Sequence, residues 1–210
     1  MHSDAEERHR MVTEQLEARG IKDEALLEVM RNIPRHLFVP VEFHRDAYAD
    51  SALPSYYGQT ISQPYIVAKM TELLQLTKNH KVLEIGTGTG YQTAVLAELA
   101  GEVYTMEINS NLHEIAKFNT VMKDYCNILF IHGNGYNGYP SAAPYDAVIV
   151  TAAPQYIPEE LVNQLSPGGR MVIPVGDYAQ ELQLITKDAD NSIEIFPIIG
   201  VRFVPMTGRA

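Results

Sequence analysis

The stretch "KVLEIGTGTGYQ", residues 81–92, joins a short apolar run to a turn of three glycines and then to a helical pattern. The run 81–86 is too short for a helix and is closed by glycine, which reads as a buried strand. Residues 91–100, "YQTAVLAELA", read as the helix that follows. Working outward, "EVYTMEI" (102–108), "NILFIHG" (127–133), "YDAVIV" (145–150) and "GGRMVIPVG" (168–176) read as further strands. Between them, "SNLHEIAKFNTVMKD" (110–124) reads as a helix with Ser110 as candidate cap, and "PEELVNQL" (158–165) as a helix with Pro158 in its first turn. "ELQLITKD" (181–188) and "SIEIFPII" (192–199) read as a late pair of strands, antiparallel through the turn "DADNS". This alternation predicts an α/β fold with a doubly wound, mostly parallel sheet. Ligands in such sheets bind beyond the carboxyl ends of the strands.

Upstream of residue 81 the pattern is helical and then irregular. Residues 3–19 read as one helix stopped by Gly20, and 23–32 as a second, with Ala25, Leu26, Val29 and Met30 on its apolar face and Pro34 beyond it. Residues 35–40 and 43–58 hold prolines and aromatics without sustained periodicity, a long ordered segment expected to pack on the domain and shape a site. A helix over 64–76 follows. The chain of 210 residues therefore reads as a single domain, with residues 1–63 as N-terminal helices and a substrate-side segment, and 64–210 as the α/β core. The net charge of −10, without a basic run, argues against a nucleic-acid grip. Apolar runs are too short for a membrane span, and the charged N-terminus does not read as a secretory signal. One cysteine, Cys126, excludes an internal disulfide and fits a reducing cytoplasm. A monomer is expected.

The strand ends carry the candidate chemistry. Gly86, Gly88 and Gly90 are spaced i, i+2, i+4, whereas the dinucleotide fingerprint puts its third glycine at i+5. Any tight strand-to-helix turn also uses glycine. Glu107, after the second strand, lies where a carboxylate can accept both hydroxyls of a ribose. Glu84, just before the glycine turn, suits a cationic group better than a phosphate. Glycines and small residues follow the third and fourth strands, in "HGNGYNGYP" (132–140) and "TAAP" (151–154). Together these suit a positively charged nucleoside without phosphate, and S-adenosyl-L-methionine answers that description. No His, Cys and carboxylate cluster has metal-ligand spacing, so no metal is expected. His36, His132, Asp146 and Cys126 read as packing, strand-end or edge residues.

Several segments resemble one family. "VLEIGTGTGYQ" is similar to the first motif of class I methyltransferases. "GQTISQPYIVAKMTELL" (58–74), "RHLFVP" (35–40), "GYPSAAPYDAVIVTAA" (138–153), "LSPGGRMVIPVG" (165–176) and "VRFVPMTG" (201–208) resemble the protein-L-isoaspartate (D-aspartate) O-methyltransferases. The likeness spans residues 31–208. It implies a seven-stranded Rossmann-like methyltransferase sheet with added N-terminal helices and the last strands exchanged. It also implies methyl transfer from S-adenosyl-L-methionine, leaving S-adenosyl-L-homocysteine, to the free carboxylate of L-isoaspartyl residues in damaged proteins and peptides, with D-aspartyl as a further acceptor. Carried over residue by residue, the likeness implies that Thr60 and Ser62 face the substrate carboxylate, with Ser62 as the catalytic hydroxyl, which otherwise reads as a helix cap. Gln63, Pro64, Glu84, Gly86, Thr87, Gly88, Gly90, Glu107, Ile108, Asn134, Gly135 and Thr207 are then expected at the cofactor, and Ala152, Ala153, Val201, Arg202 and Phe203 at the substrate. The family usually has Asp in the "GNG" of residues 133–135, as acceptor for the adenine amino group. Asn134 is expected to accept the same bond without charge. The chain also stops soon after "VPMTG", without a longer tail over the cofactor.

Two other enzyme classes fit less well. A nicotinamide oxidoreductase conflicts with the glycine spacing, and a base-amino methyltransferase with "TAAP" and the net charge. A cofactor-binding relic without turnover is the non-enzymatic alternative, favoured only by Asn134.

Overall fold

The computed structural model describes residues 3–208. Helix α1 (Asp4–Met11) is capped by Ser3, whose hydroxyl accepts from the Glu6 N–H while the Glu6 carboxylate accepts from the Ser3 N–H. The helix does not run on to residue 19. It widens into a π turn at Val12–Leu16, then tightens into a 3-10 turn at Glu17–Arg19 that Gly20 ends at φ 89°. Met11, Val12 and Leu16 are all buried, and a spacing of five residues meets one face only in the wider π geometry. Helix α2 (Glu24–Asn32), capped by Asp23, buries Leu26, Leu27 and Met30 and leaves Ala25 exposed. Its apolar face is therefore turned one position from the expected one. A short antiparallel hairpin, β1 (Leu53–Pro54) and β2 (Thr60–Ile61), brings the chain to helix α3 (Pro64–Leu74).

The core then alternates: β3 (Lys81–Ile85), α4 (Tyr91–Leu99), β4 (Glu102–Glu107), α5 (Ser110–Lys117), β5 (Ile128–His132), β6 (Tyr145–Val150), α6 (Glu159–Asn163), β7 (Leu165–Val175), β8 (Gln180–Lys187) and β9 (Ile193–Val201). The cap of α5 is Asn109 and not Ser110; its side-chain oxygen accepts from the N–H groups of Asn111 and Leu112. The helix expected over 110–124 is split. Asn119 caps a separate 3-10 turn, Thr120–Asp124, because its side chain offers the backbone a local alternative to helix.

The seven strands lie in the order β5-β4-β3-β6-β7-β8-β9. β3 to β7 are parallel, while β8 and β9 are added antiparallel at one edge in chain order. On one face Val82, Val103, Ala147, Ile149 and Val172 pack against Met70 and Leu74 of α3 and Leu96 of α4. On the other, Leu83, Ile85, Val148, Val150 and Met171 pack with Leu161 of α6. The N-terminal helices share their core with α3 and α4 through Val67, Tyr91, Ala94 and Val95. That docking sets residues 35–63 against the start of α4, beside the glycine turn. No helix among the described residues is long and apolar enough to cross a membrane.

Candidate active site

The strand order reverses at β3, between β4 and β6, and a cleft of about 600 Å³ opens at the carboxyl ends there. Its floor is the glycine turn. The Gly86 N–H donates to the Met106 carbonyl at 2.8 Å, and the Thr151 hydroxyl donates to the Gly86 carbonyl at 2.6 Å. A Cβ on Gly86 would collide with that hydroxyl, whereas one on Gly88 would meet nothing within 4 Å. The two glycines thus do different work: Gly86 lets β3 close onto β6, and Gly88 leaves its side of the cleft open. Glu107 ends β4 and is 7% exposed. Its carboxylate accepts from the N–H groups of Gly88 and Asn109, both at 2.9 Å, and lines the cleft with lone pairs to spare.

The roof is the last stretch of chain. The Ala153 N–H donates to the Val204 carbonyl and the Met206 N–H to the Ala153 carbonyl, both at 2.8 Å, in a parallel bridge of Ala153 with Pro205. This strap puts Val204, Pro205, Met206 and Thr207 in the lining of the cleft, together with Ile108, Gly135 and Ala152. Among the described residues, no Lys or Arg lines the cleft. Apolar walls for a flat base and a buried carboxylate for a diol, with no cation for phosphate among the described residues, fit an adenosine without pyrophosphate, which is the cofactor expected.

Thr60 joins this cleft to a second cavity of about 440 Å³, lined also by Ser62, Thr87 and Tyr91. Ser62 in turn belongs to an open groove of about 1100 Å³ between Asp50–Ala52, Gln63 and Ile66 on one side and Tyr178–Gln180 and Gly200–Phe203 on the other. One short segment, Thr60–Ser62, therefore connects a nucleoside-sized cleft to a peptide-sized groove. Ser62 does not cap α3: the cap position is Gln63 and no side chain caps that helix.

Other expected residues have different work. The Gln63 amide donates to the Asp50 carbonyl (3.1 Å) and carboxylate (2.7 Å), at the groove rim and away from the cleft. Pro64 is the buried first residue of α3 and lines none of these cavities. Gly90 starts α4 at φ 95° and packs on Met122, where a Cβ would collide. Glu84 lies beneath the turn, fully buried, accepting from the hydroxyls of Thr93 (2.5 Å) and Thr105 (2.6 Å). Burial pushes its carboxyl up to about 7, against the opposing pull of those two hydrogen bonds. Asn134 does not line the cleft either. Its carbonyl accepts from the Tyr136 N–H at 3.0 Å and its amide donates to the Gly208 carbonyl at 2.6 Å, so it latches the strap. Ala153 anchors the strap, is buried and lines none of these cavities. Ala152 lies at the cofactor cleft and not at the groove, which keeps Val201, Arg202 and Phe203. The Phe203 N–H and carbonyl are both taken by the Gln180 side chain, at 2.6 and 3.1 Å, and are not free to pair with a peptide. Tyr91 and Met206 line these cavities but were not singled out as site residues, Tyr91 because it reads as helix and Met206 because it appears only within the stretch "VRFVPMTG".

No group of three His, Cys, Asp or Glu side chains stands close enough to hold a metal among the described residues. His132 is a strand-end residue bonded to the Ile108 carbonyl, and Asp146 accepts from the Lys81 N–H at 2.8 Å, both structural.

Comparison with known proteins agrees with this geometry. The family profile "Protein-L-isoaspartate(D-aspartate) O-methyltransferase (PCMT)" matches residues 6–210. A protein-L-isoaspartate O-methyltransferase of Dictyoglomus thermophilum is 52% identical over 206 residues, covering 97% of this chain and 93% of that one. One from Picosynechococcus sp. is 49% identical over 203 residues, covering 97% and 91%. A solved Plasmodium falciparum protein, ascribed to the same activity and in complex with S-adenosyl-L-homocysteine, superposes with a TM-score of 0.80 at 26% identity, covering 95% of this chain and 98% of that one. The chain belongs to the protein-L-isoaspartate (D-aspartate) O-methyltransferase family.

Proposed function

We propose that this chain methylates the free carboxylate of L-isoaspartyl residues in proteins and peptides, with the acceptor entering along the groove beside Ser62. The observation that carries the reading is the Thr60–Ser62 segment, shared between the nucleoside-sized cleft and the open groove. S-adenosyl-L-methionine supplies an electrophilic methyl on a sulfonium: the S–CH₃ bond breaks as an O–CH₃ bond forms, and both charges disappear. The chain needs no general base for this, because a carboxylate with a pKa near 4 is already ionised at neutral pH. Thr60 and Ser62 offer hydroxyls that orient an anion without the firm ground-state grip of a lysine. Glu107 would hold the ribose, and Ile108, Gly135 and Thr207 would flank the base. The chain's main contribution is in-line placement, which can supply up to about 7–11 kcal/mol.

Charge cannot separate isoaspartate from aspartate, since the two differ by one methylene moved from side chain to main chain. Discrimination falls to the groove, where Val201 and Arg202 meet the peptide. The test is a matched pair of synthetic peptides with labelled cofactor. Methyl incorporation is expected into the L-isoaspartyl peptide and little or none into its L-aspartyl twin. Comparable incorporation into both would reduce the assignment to a generic carboxyl methyltransferase.

A further inference from the structure

Arg35 is a fully buried cation without a carboxylate partner among the described residues. Its Nε donates to the Ala47 carbonyl and its Nη2 to the Ser62 carbonyl, each at 2.8 Å. Its guanidinium carbon stands 4.8 Å from the centroid of the Tyr91 ring. Nη1 has no partner among the described residues. Burying a charge with only two carbonyls and an aromatic face for company is costly, and burial pulls this guanidinium down to about 10, still protonated at neutral pH. An apolar residue would fill the volume at lower cost.

The three groups that Arg35 touches belong to three different walls. Ser62 carries the hydroxyl at the acceptor end. Ala47 leads into Asp50–Ala52, one rim of the peptide groove. Tyr91 is the first residue of α4, directly after the glycine turn of the cofactor cleft. Methyl transfer requires cofactor and acceptor to be in line, and a misplacement of about 1 Å can cost on the order of 100-fold in rate. We propose that Arg35 is a positioning residue for methyl transfer: its planar fork fixes the Ser62 wall and the groove rim relative to the cofactor turn. A lysine keeps the charge but cannot donate in two fixed directions while lying flat on a ring.

The test is a double-mutant cycle of Arg35→Lys with Ser62→Ala, read by turnover of an L-isoaspartyl peptide and by calorimetry of S-adenosyl-L-homocysteine. The Lys variant is expected to lose roughly 10- to 100-fold in kcat, while its affinity for S-adenosyl-L-homocysteine stays within about threefold. In the Ser62→Ala background the same change is expected to cost much less, because the hydroxyl that it positions is gone. Where Arg35→Lys does not fold, Tyr91→Leu, which removes the aromatic face, replaces it in the cycle with the same expectation. Undiminished kcat in the folded variant, or costs that simply add, would overturn the proposal and leave Arg35 as a structural staple. The cycle is read only on an enzyme that methylates its peptide, so failure of the activity itself is distinguishable.

Discussion

Glu84 illustrates how one residue can be read correctly as special and wrongly as to why. An acid directly before a glycine turn suggests a ligand for a cation, yet the strand's alternation turns it inward, toward Thr93 and Thr105. Sequence shows which face a residue takes only when both neighbouring layers are known. The consequence is a pH dependence of stability. The folded pKa, about 7, lies above the ordinary 4.5, so the folded state holds this proton more tightly than the unfolded chain. The stabilisation is fully present below the ordinary value and is lost as pH rises through the folded one. Glu84→Gln is always neutral and still accepts the two hydroxyl hydrogens. Its melting temperature is expected to gain on that of the native protein as pH is raised from about 5 to about 8. Parallel profiles would show that the native carboxyl does not titrate in this window. Arg35 was less legible still: nothing in "RHLFVP" marks its arginine until Ala47, Ser62 and Tyr91 converge on it.

Among the elements, the strands and most helices were legible because their apolar periods are strong, as in residues 81–85 and 145–150. The breaks were not. The π turn after α1 and the split after α5 answer to tertiary burial and to one asparagine side chain, neither of which a periodicity carries. The strap was legible only at its ends: Val201, Arg202 and Phe203 were expected at the peptide and Thr207 at the cofactor, and the structure adds Val204, Pro205 and Met206 to the lining of the cofactor cleft. Asn134 belongs to that element. As its amide donates to the Gly208 carbonyl, an aspartate there would set a carboxylate against a carbonyl oxygen. Asn134→Asp is therefore expected to weaken S-adenosyl-L-homocysteine binding, by about 0.5–1.5 kcal/mol for the lost hydrogen bond and more if the like-charged oxygens push the strap away. Titration calorimetry checks this, and tighter binding would show that the strap's closure does not depend on the latch. What reads as a departure from the family's pattern is matched here to this chain's own carbonyl.

For the whole molecule the governing quantity is its charge of −10, spread over a surface through which an anionic acceptor must pass. Only Arg202, among the groove's lining residues, is cationic, and Asp50 on the opposite rim is already engaged by Arg19 and Gln63. The field at long range is therefore repulsive to acidic peptides and attractive to basic ones. An L-isoaspartyl peptide flanked by lysines is expected to show a higher kcat/KM than one flanked by glutamates at about 10 mM salt, and the ratio is expected to shrink as salt approaches about 0.5 M. A ratio independent of salt would show that the preference does not come from the long-range field. The strap carries a consequence on a different axis, that of synthesis. The roof of the cofactor cleft is built from residues 204–208, so a nascent chain can assemble its sheet while the cleft still lacks its cover. A product that ended short of this stretch would lack the part of the lining from Val204 to Thr207, and it is expected to hold the methyl donor more weakly than the full chain.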